Sequence, residues 1–198
     1  GTVVDADDLM DEMFATAEKT TRELGKANEM AEDEASWLFN TIGLGALKYF
    51  ILKVDPKKNM LFDPAESIDF NGNTGPFIQY TYARIRSLLA KAAQSGFNGP
   101  SPETGNLSSL EPAEKEIIRR LYLFPETVAQ AGNEMNPSVI ANYVYDLAKT
   151  FNQFYQELPV LKEENRSKLM LRLSITAFTG KTISNSMKLL GIDVPSRM

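Results

Sequence analysis

The segment Pro76-Phe-Ile-Gln-Tyr-Thr-Tyr-Ala-Arg-Ile-Arg86 holds the densest chemistry in the sequence. At helical spacing Phe77, Tyr80, Thr81 and Arg84 fall at i, i+3, i+4 and i+7, on one face of a helix. An aromatic ring, hydrogen-bonding tips and a guanidinium on one face suit the unstacked bases of a single-stranded RNA loop. The same stripe also serves ordinary core packing, and composition leaves both readings open. Ile78, Tyr82, Ile85 and Leu89 form a second stripe that suits a core face. A further segment, Asn142-Tyr143-Val-Tyr145 with Phe151-Asn-Gln-Phe154-Tyr155, loads another helix with aromatics. Most of these belong to a core, and one exposed tyrosine near the helix end is a candidate base platform. Arg119, Arg120, Lys149, Arg166, Lys168 and Arg172 are candidates for phosphate contacts or for solvated surface charges.

Much chemistry is excluded. The 198 residues contain no cysteine and no histidine. Disulfides, thiolate zinc sites, cysteine nucleophiles, Ser-His triads and imidazole acid–base steps are therefore ruled out. The acidic cluster Asp5, Asp7, Asp8, Asp11 and Glu12 lacks EF-hand spacing. It reads as a first helical turn complementing the helix dipole. Asn71-Gly-Asn-Thr-Gly75 resembles a phosphate loop only loosely, without the Lys-Ser/Thr pair or a preceding strand. It reads as a turn and cap. No catalytic residue, resident cofactor or metal ligand is expected. No apolar run approaches the ~18 residues of a transmembrane helix, and the acidic opening is not the n-region of a signal peptide. A cytoplasmic location is expected.

The elements that position these residues all read as helices. Asp5 caps a first helix, with Leu9, Met13, Ala17 and Leu24 at helical spacing to about Met30. A second covers roughly Asp33 to Val54, where Gly43 and Gly45 predict a close helix–helix approach. A turn of helix follows Asp63-Pro64. Thr74 and Pro76 open a helix to Gln94. Residues 95–110 read as a loop. Helices follow from Pro112 to about Phe124, from Pro125 to about Ala131, from Asn136-Pro137 to about Glu157, and from about Glu163 to Leu190, ending at Gly191. The expected class is an all-α bundle. Charge divides along the chain: residues 1–70 hold 15 acidic against 7 basic side chains, residues 71–198 hold 11 against 14, and the net is −5. The domain boundary is placed at the 71–75 turn, where the sign changes.

Five ordered blocks resemble the C-terminal part of bacterial arginyl-tRNA synthetases. Gly1-Thr-Val-Val-Asp-Ala-Asp-Asp-Leu9 is similar to the stretch after the K-M-S loop of this class I family. Gly43-Leu-Gly-Ala-Leu-Lys-Tyr49 is similar to the helix before its anticodon-binding domain. Phe70-Asn-Gly-Asn-Thr-Gly-Pro-Phe-Ile-Gln-Tyr-Thr-Tyr-Ala-Arg84 resembles the start of that domain. Ala141-Asn-Tyr-Val-Tyr-Asp-Leu-Ala148 with Phe151-Asn-Gln-Phe-Tyr155 resembles a later helix. Gly191-Ile-Asp-Val-Pro-Ser-Arg-Met198 resembles the family's ending. The resemblance implies a helical bundle of the class I anticodon-binding type, with residues 1–70 as a connecting segment and 71–198 as the anticodon-binding domain. It implies arginine tRNA as partner, no DNA or membrane partner, and a monomer. ATP with magnesium would serve the catalytic half, which is absent here, so this chain alone is expected to be inactive. Carried over by position, tRNA-binding residues are Phe77, Tyr80, Thr81, Arg84, Tyr155 and Met198. Phe77 stands where the family has tyrosine and Thr81 where it has alanine. Gln79 is expected to bond neighbouring backbone. The rival reading is a helical protein-interaction module without RNA binding; a carboxylate metal enzyme built on Asp5–Glu12 is a second rival.

Overall fold

The computed structural model describes residues 5–25, 27, 30–61, 63–97, 99–100 and 109–198. Among them are eight helices: α1 (Ala6–Glu23), α2 (Glu32–Leu52), α3 (Pro64–Ser67), α4 (Gly75–Gln94), α5 (Pro112–Tyr122), α6 (Phe124–Glu134), α7 (Ser138–Glu157) and α8 (Arg166–Leu189). The all-α expectation holds. The opening Gly1-Thr-Val-Val and most of the 95–110 loop lie outside the described residues.

Local side chains set most helix starts. Asp5 accepts the Asp7 N–H at 3.0 Å and caps α1. Thr74 accepts the Phe77 N–H at 3.3 Å and caps α4, with Pro76 in the first turn. Helix α8 begins at Arg166 rather than near Glu163, because Asn165 accepts the Lys168 N–H at 3.1 Å. Glu163 is thereby left to pair with Arg172. Helix α1 stops at Glu23, short of Met30, because Gly25 turns into the left-handed region at φ 68°. Helix α6 runs past Ala131 to Glu134 and is closed by Met135, itself left-handed at φ 48°.

Among the described residues two main apolar cores form, beside a small cluster of Ala27, Ala35 and Phe39. The larger joins α4, α5, α7 and α8 around Ile78, Ile85, Ile117, Leu147, Phe151, Phe154 and Ile183. The smaller joins α1, α2 and residues 68–70 around Met13, Leu38, Ile42, Ile68 and Phe70. Helix α2 serves both, since its buried Tyr49 sits in the larger core. The Tyr49 hydroxyl lies 2.9 Å from the Ala141 carbonyl and 2.7 Å from Asn73 Oδ1. Lys53 Nζ donates to the Asn73 carbonyl at 2.9 Å. The 71–75 turn is thus fastened to α2 as well as capping α4.

The predicted close approach at Gly43 and Gly45 is present. A Cβ at Gly43 would stand 2.8 Å from the Met13 carbonyl oxygen of α1. One at Gly45 would stand 2.5 Å from Gln79 Nε2 of α4. Helix α2 thus meets α1 backbone-close at Gly43, and α4 backbone-close at Gly75, where a Cβ would stand 2.6 Å from the Gly45 carbonyl oxygen, and this fixes α4 against the N-terminal helices.

Candidate nucleic-acid interface

Helix α4, the C-terminal end of α7 and residues 196–198 enclose an open groove of about 340 Å³. Tyr80, Arg84, Tyr155 and Met198 all line it. Four of the six expected residues, drawn from three distant parts of the sequence, therefore meet at one place. The Arg84 guanidinium carbon lies 4.9 Å from the Tyr80 ring centroid and 5.8 Å from that of Tyr155. Its Nη1 donates to Asn152 Oδ1 at 2.5 Å. Tyr155 is 37% exposed and rests on the Phe151 ring, centroids 6.2 Å apart and planes 18° from parallel. Phe151 is wholly buried. The expected exposed tyrosine near a helix end is thus found, on a rigid aromatic floor. Tyr80 meets Phe70 edge-on, centroids 6.5 Å apart.

Phe77 and Thr81 are placed otherwise. Thr81 is 0% exposed, in the seam between α4 and α7. Its Oγ1 donates to the Phe77 carbonyl at 2.9 Å and accepts from Asn152 Nδ2 at 2.9 Å. A hydroxyl so placed has no path to a base. It orients Asn152, whose other amide atom holds Arg84. Phe77 is half-buried on the larger core and tilts against Tyr145, centroids 5.5 Å apart. Helical spacing grouped these two with Tyr80 and Arg84, but α7 covers the Phe77–Thr81 edge of that face and leaves the Tyr80–Arg84 edge open to the groove.

Most of the basic candidates are committed within the protein. Arg172, 4% exposed, pairs with Glu114 at 2.8 Å and Glu163 at 2.7 Å. It is a buried structural ion, not a phosphate contact. Arg119 and Arg120 both reach Glu116, at 3.0 and 3.1 Å, and Arg120 also reaches Asp146 at 3.1 Å. These arginines hold the Glu116 carboxyl below its ordinary range. Lys168 pairs with Glu111 at 3.0 Å. The cations beside Arg84 in the groove are instead Lys91 and Arg197, which the sequence did not single out. Asn152 was likewise missed, although it lies inside the aromatic segment 151–155.

Residues 191–195 pass along α2 and lead to residues 196–198, which wall the groove. Lys48 Nζ donates to the Gly191 carbonyl at 2.8 Å. Gln79, fully buried, donates through Nε2 to the Asp193 carbonyl at 2.8 Å and the Thr41 carbonyl at 3.0 Å. Its partners are backbone groups far away in sequence, not neighbouring ones. Arg197 forms a two-pronged pair with Glu34, Nε to Oε1 at 2.6 Å and Nη2 to Oε2. The guanidinium holds the Glu34 carboxyl below the usual carboxylate range. Met198 ends against the smaller core.

Among the described residues no cluster of carboxylates has metal-binding geometry, and no helix is long and apolar enough to cross a membrane. Asp5 serves as the α1 cap. The groove can hold a flat, polar, partly anionic group. It offers a ring to stack on, a guanidinium already oriented, and further cations at its rim.

Residues 78–198 match the family model of the DALR anticodon binding domain. The chain is 54% identical to an arginine–tRNA ligase of Phocaeicola vulgatus, over all of its own length and 32% of that relative's. It is also 54% identical to one of Bacteroides fragilis, over all of its own length and 33% of that relative's. The chain thus spans about a third of the curated relatives it matches. Among solved structures it superposes on Thermus thermophilus arginyl-tRNA synthetase with a TM-score of 0.88 and 31% identity, covering 99% of this chain and 32% of that one. On the Plasmodium falciparum arginyl-tRNA synthetase the TM-score is 0.81 at 25% identity, over 99% and 34%.

Proposed function

The chain belongs to the family of DALR anticodon binding domains, and from that premise we propose that it reads the anticodon loop of arginine tRNA as part of an arginine–tRNA ligase. The observation that carries this reading is the Tyr80–Arg84–Tyr155–Met198 groove, where an oriented guanidinium lies between two aromatic rings. Arginine isoacceptors share a cytosine at the middle anticodon position. A cytosine turned out of the loop stacks on the Tyr155 or Tyr80 ring. Its O2 and N3 are acceptors, and Arg84 keeps N–H donors beyond the one spent on Asn152. Lys91 stands near enough on the same helix to meet a flanking phosphate. Asn152 and Thr81 are positioning residues, and Phe77 packs α4 onto α7. Residues 1–70 form the connecting segment and 71–198 the anticodon-binding domain. ATP and magnesium belong to the ligase's catalytic part, and this chain contributes no catalytic residue. It acts as a monomer in the cytoplasm, without DNA or membrane partners.

The test is binding of this chain at low salt to an arginine tRNA transcript and to one whose middle anticodon cytosine is replaced. Tighter binding to the native loop, weakening with salt, is the expected result. Equal affinity for both would reduce the interaction to electrostatics. No binding to either, together with stable self-association, would favour a helical protein-interaction module instead.

A further inference from the structure

The closing segment meets α2 at Lys48, at Thr41 through Gln79, and at Glu34. These positions recur every seventh residue, so they share one face of the helix. From Lys48 to Glu34 the helix rises about 21 Å. Six extended residues, from 191 to 197, reach at most about 21 Å. Residues 191–197 run along α2, antiparallel to it, as a strap, with the long Lys48 and Arg197 side chains making up part of the span. Ile192 and Pro195 are buried beneath it. After Pro195 the strap is exposed, tied down by the Arg197–Glu34 pair and by the half-buried Met198. The groove wall made by residues 196–198 is held at that end by α2, an element outside the 78–198 match.

We propose that Glu34 of α2 is a positioning residue for base discrimination: its pair with Arg197 holds Ser196–Met198 as the fixed wall of the groove. The proposal rests on the anticodon-reading function above. Glu34 itself does not line the groove. It acts through Arg197, and it transmits the placement of α2 to the site where the base is read. The pair is exposed on both sides, 41% at Glu34 and 59% at Arg197. Exposed pairs contribute little to global stability, so its loss frees the wall while leaving the two cores intact. A loosened wall still permits stacking on Tyr155 but no longer rejects a base of the wrong shape or edge.

The experiment compares the 198-residue chain with E34Q and with the conservative E34D, both of which leave the groove-lining Arg197 in place. Each is titrated with an anticodon stem-loop RNA carrying cytosine at the middle anticodon position, and with the same RNA carrying uracil there. The readout is the ratio of the two affinities, beside the thermal midpoint. E34Q is expected to lower the cytosine preference roughly tenfold, the scale of one good base-edge contact. Its thermal midpoint stays that of the parent, and E34D, which keeps the carboxylate, keeps much of the preference. A parent that discriminates beside an E34Q that discriminates equally well would overturn the positioning role and leave the base-reading function standing. A midpoint that drops in step with the preference in both variants would also overturn it by making Glu34 a plain stability residue. A parent without preference would overturn the base-reading function itself.

Discussion

Tyr155 and Thr81 came from the same kind of sequence argument and stand in opposite surroundings. Tyr155 is exposed and backed by the buried Phe151 ring, so it offers a flat face to a base. Y155A should weaken RNA binding by about 1–3 kcal/mol, the measured range for one stacked base. Y155F should bind nearly as the parent, since stacking needs the ring and not the hydroxyl. Filter binding on folded variants decides it, and an unchanged affinity in Y155A removes Tyr155 from the interface. Thr81 is buried, with its hydroxyl both donating and accepting. T81V keeps the shape and deletes both bonds, leaving the Asn152 amide without its buried partner. A loss of about 1–3 kcal/mol of stability follows, visible as a lower urea midpoint. RNA binding should fall only as far as Arg84 loses its orientation. The i, i+3, i+4, i+7 spacing groups the four residues on one side of α4. It carries no information on where the next helix crosses that face, so it does not separate Thr81 from Tyr80.

The helices themselves were legible at several of the caps and glycines written in the sequence. Asp5, Thr74 with Pro76, and Gly191 mark ends within a residue or two. The misses at Met30 and Glu163 have one cause: a competing local bond, at Gly25 and Asn165, outweighs a continuing apolar period. Gly43 is the sharper case, because its reason lies wholly outside its own helix. In an isolated helix G43A would gain about 1 kcal/mol in propensity. Here the new Cβ falls 2.8 Å from the Met13 carbonyl oxygen and 3.2 Å from the Phe14 nitrogen. Backbone cannot swing aside as a side chain does, so α1 must shift off α2. The packing loss wins, with a net destabilisation of about 1–3 kcal/mol. A thermal midpoint at or above the parent's in G43A would show that α1 yields freely. Gly45 faces the Gln79 amide instead. A substitution there strikes the strap anchor first, so it should disturb the groove more than the global fold.

At the scale of the molecule, the charge split between the two halves proved to be a matter of contacts as well as solvation. Acidic Glu34 from the first half meets Arg197 from the second, and two phenols tie the layers together. Tyr49 reaches from α2 to the Ala141 carbonyl of α7. Tyr143 donates from α7 to the Arg120 carbonyl of α5 at 2.9 Å. Neither role was legible in the sequence, because a tyrosine's hydroxyl partner lies far along the chain. Burial pushes the Tyr49 phenol well above its ordinary value and the Tyr143 phenol up to about 12.

Both phenols therefore hold their protons in the folded chain at a pH where the unfolded chain has lost them. Their contribution is complete below about pH 10, the ordinary phenol value. Above it the unfolded state binds fewer protons, and stability falls with rising pH. For Tyr143 the fall ends near pH 12, where the folded phenol also ionises. Lys53 acts in the opposite sense, since burial lowers its pKa and deprotonation relieves that strain. Comparison of Y143F with the parent separates the two. Y143F loses its bond to the Arg120 carbonyl and is the less stable protein at neutral pH. It also lacks the titrating proton, so its urea midpoint should decline less steeply above pH 10. The two curves converge as the pH rises; parallel curves would mean that the Tyr143 phenol titrates alike in the folded and unfolded chains.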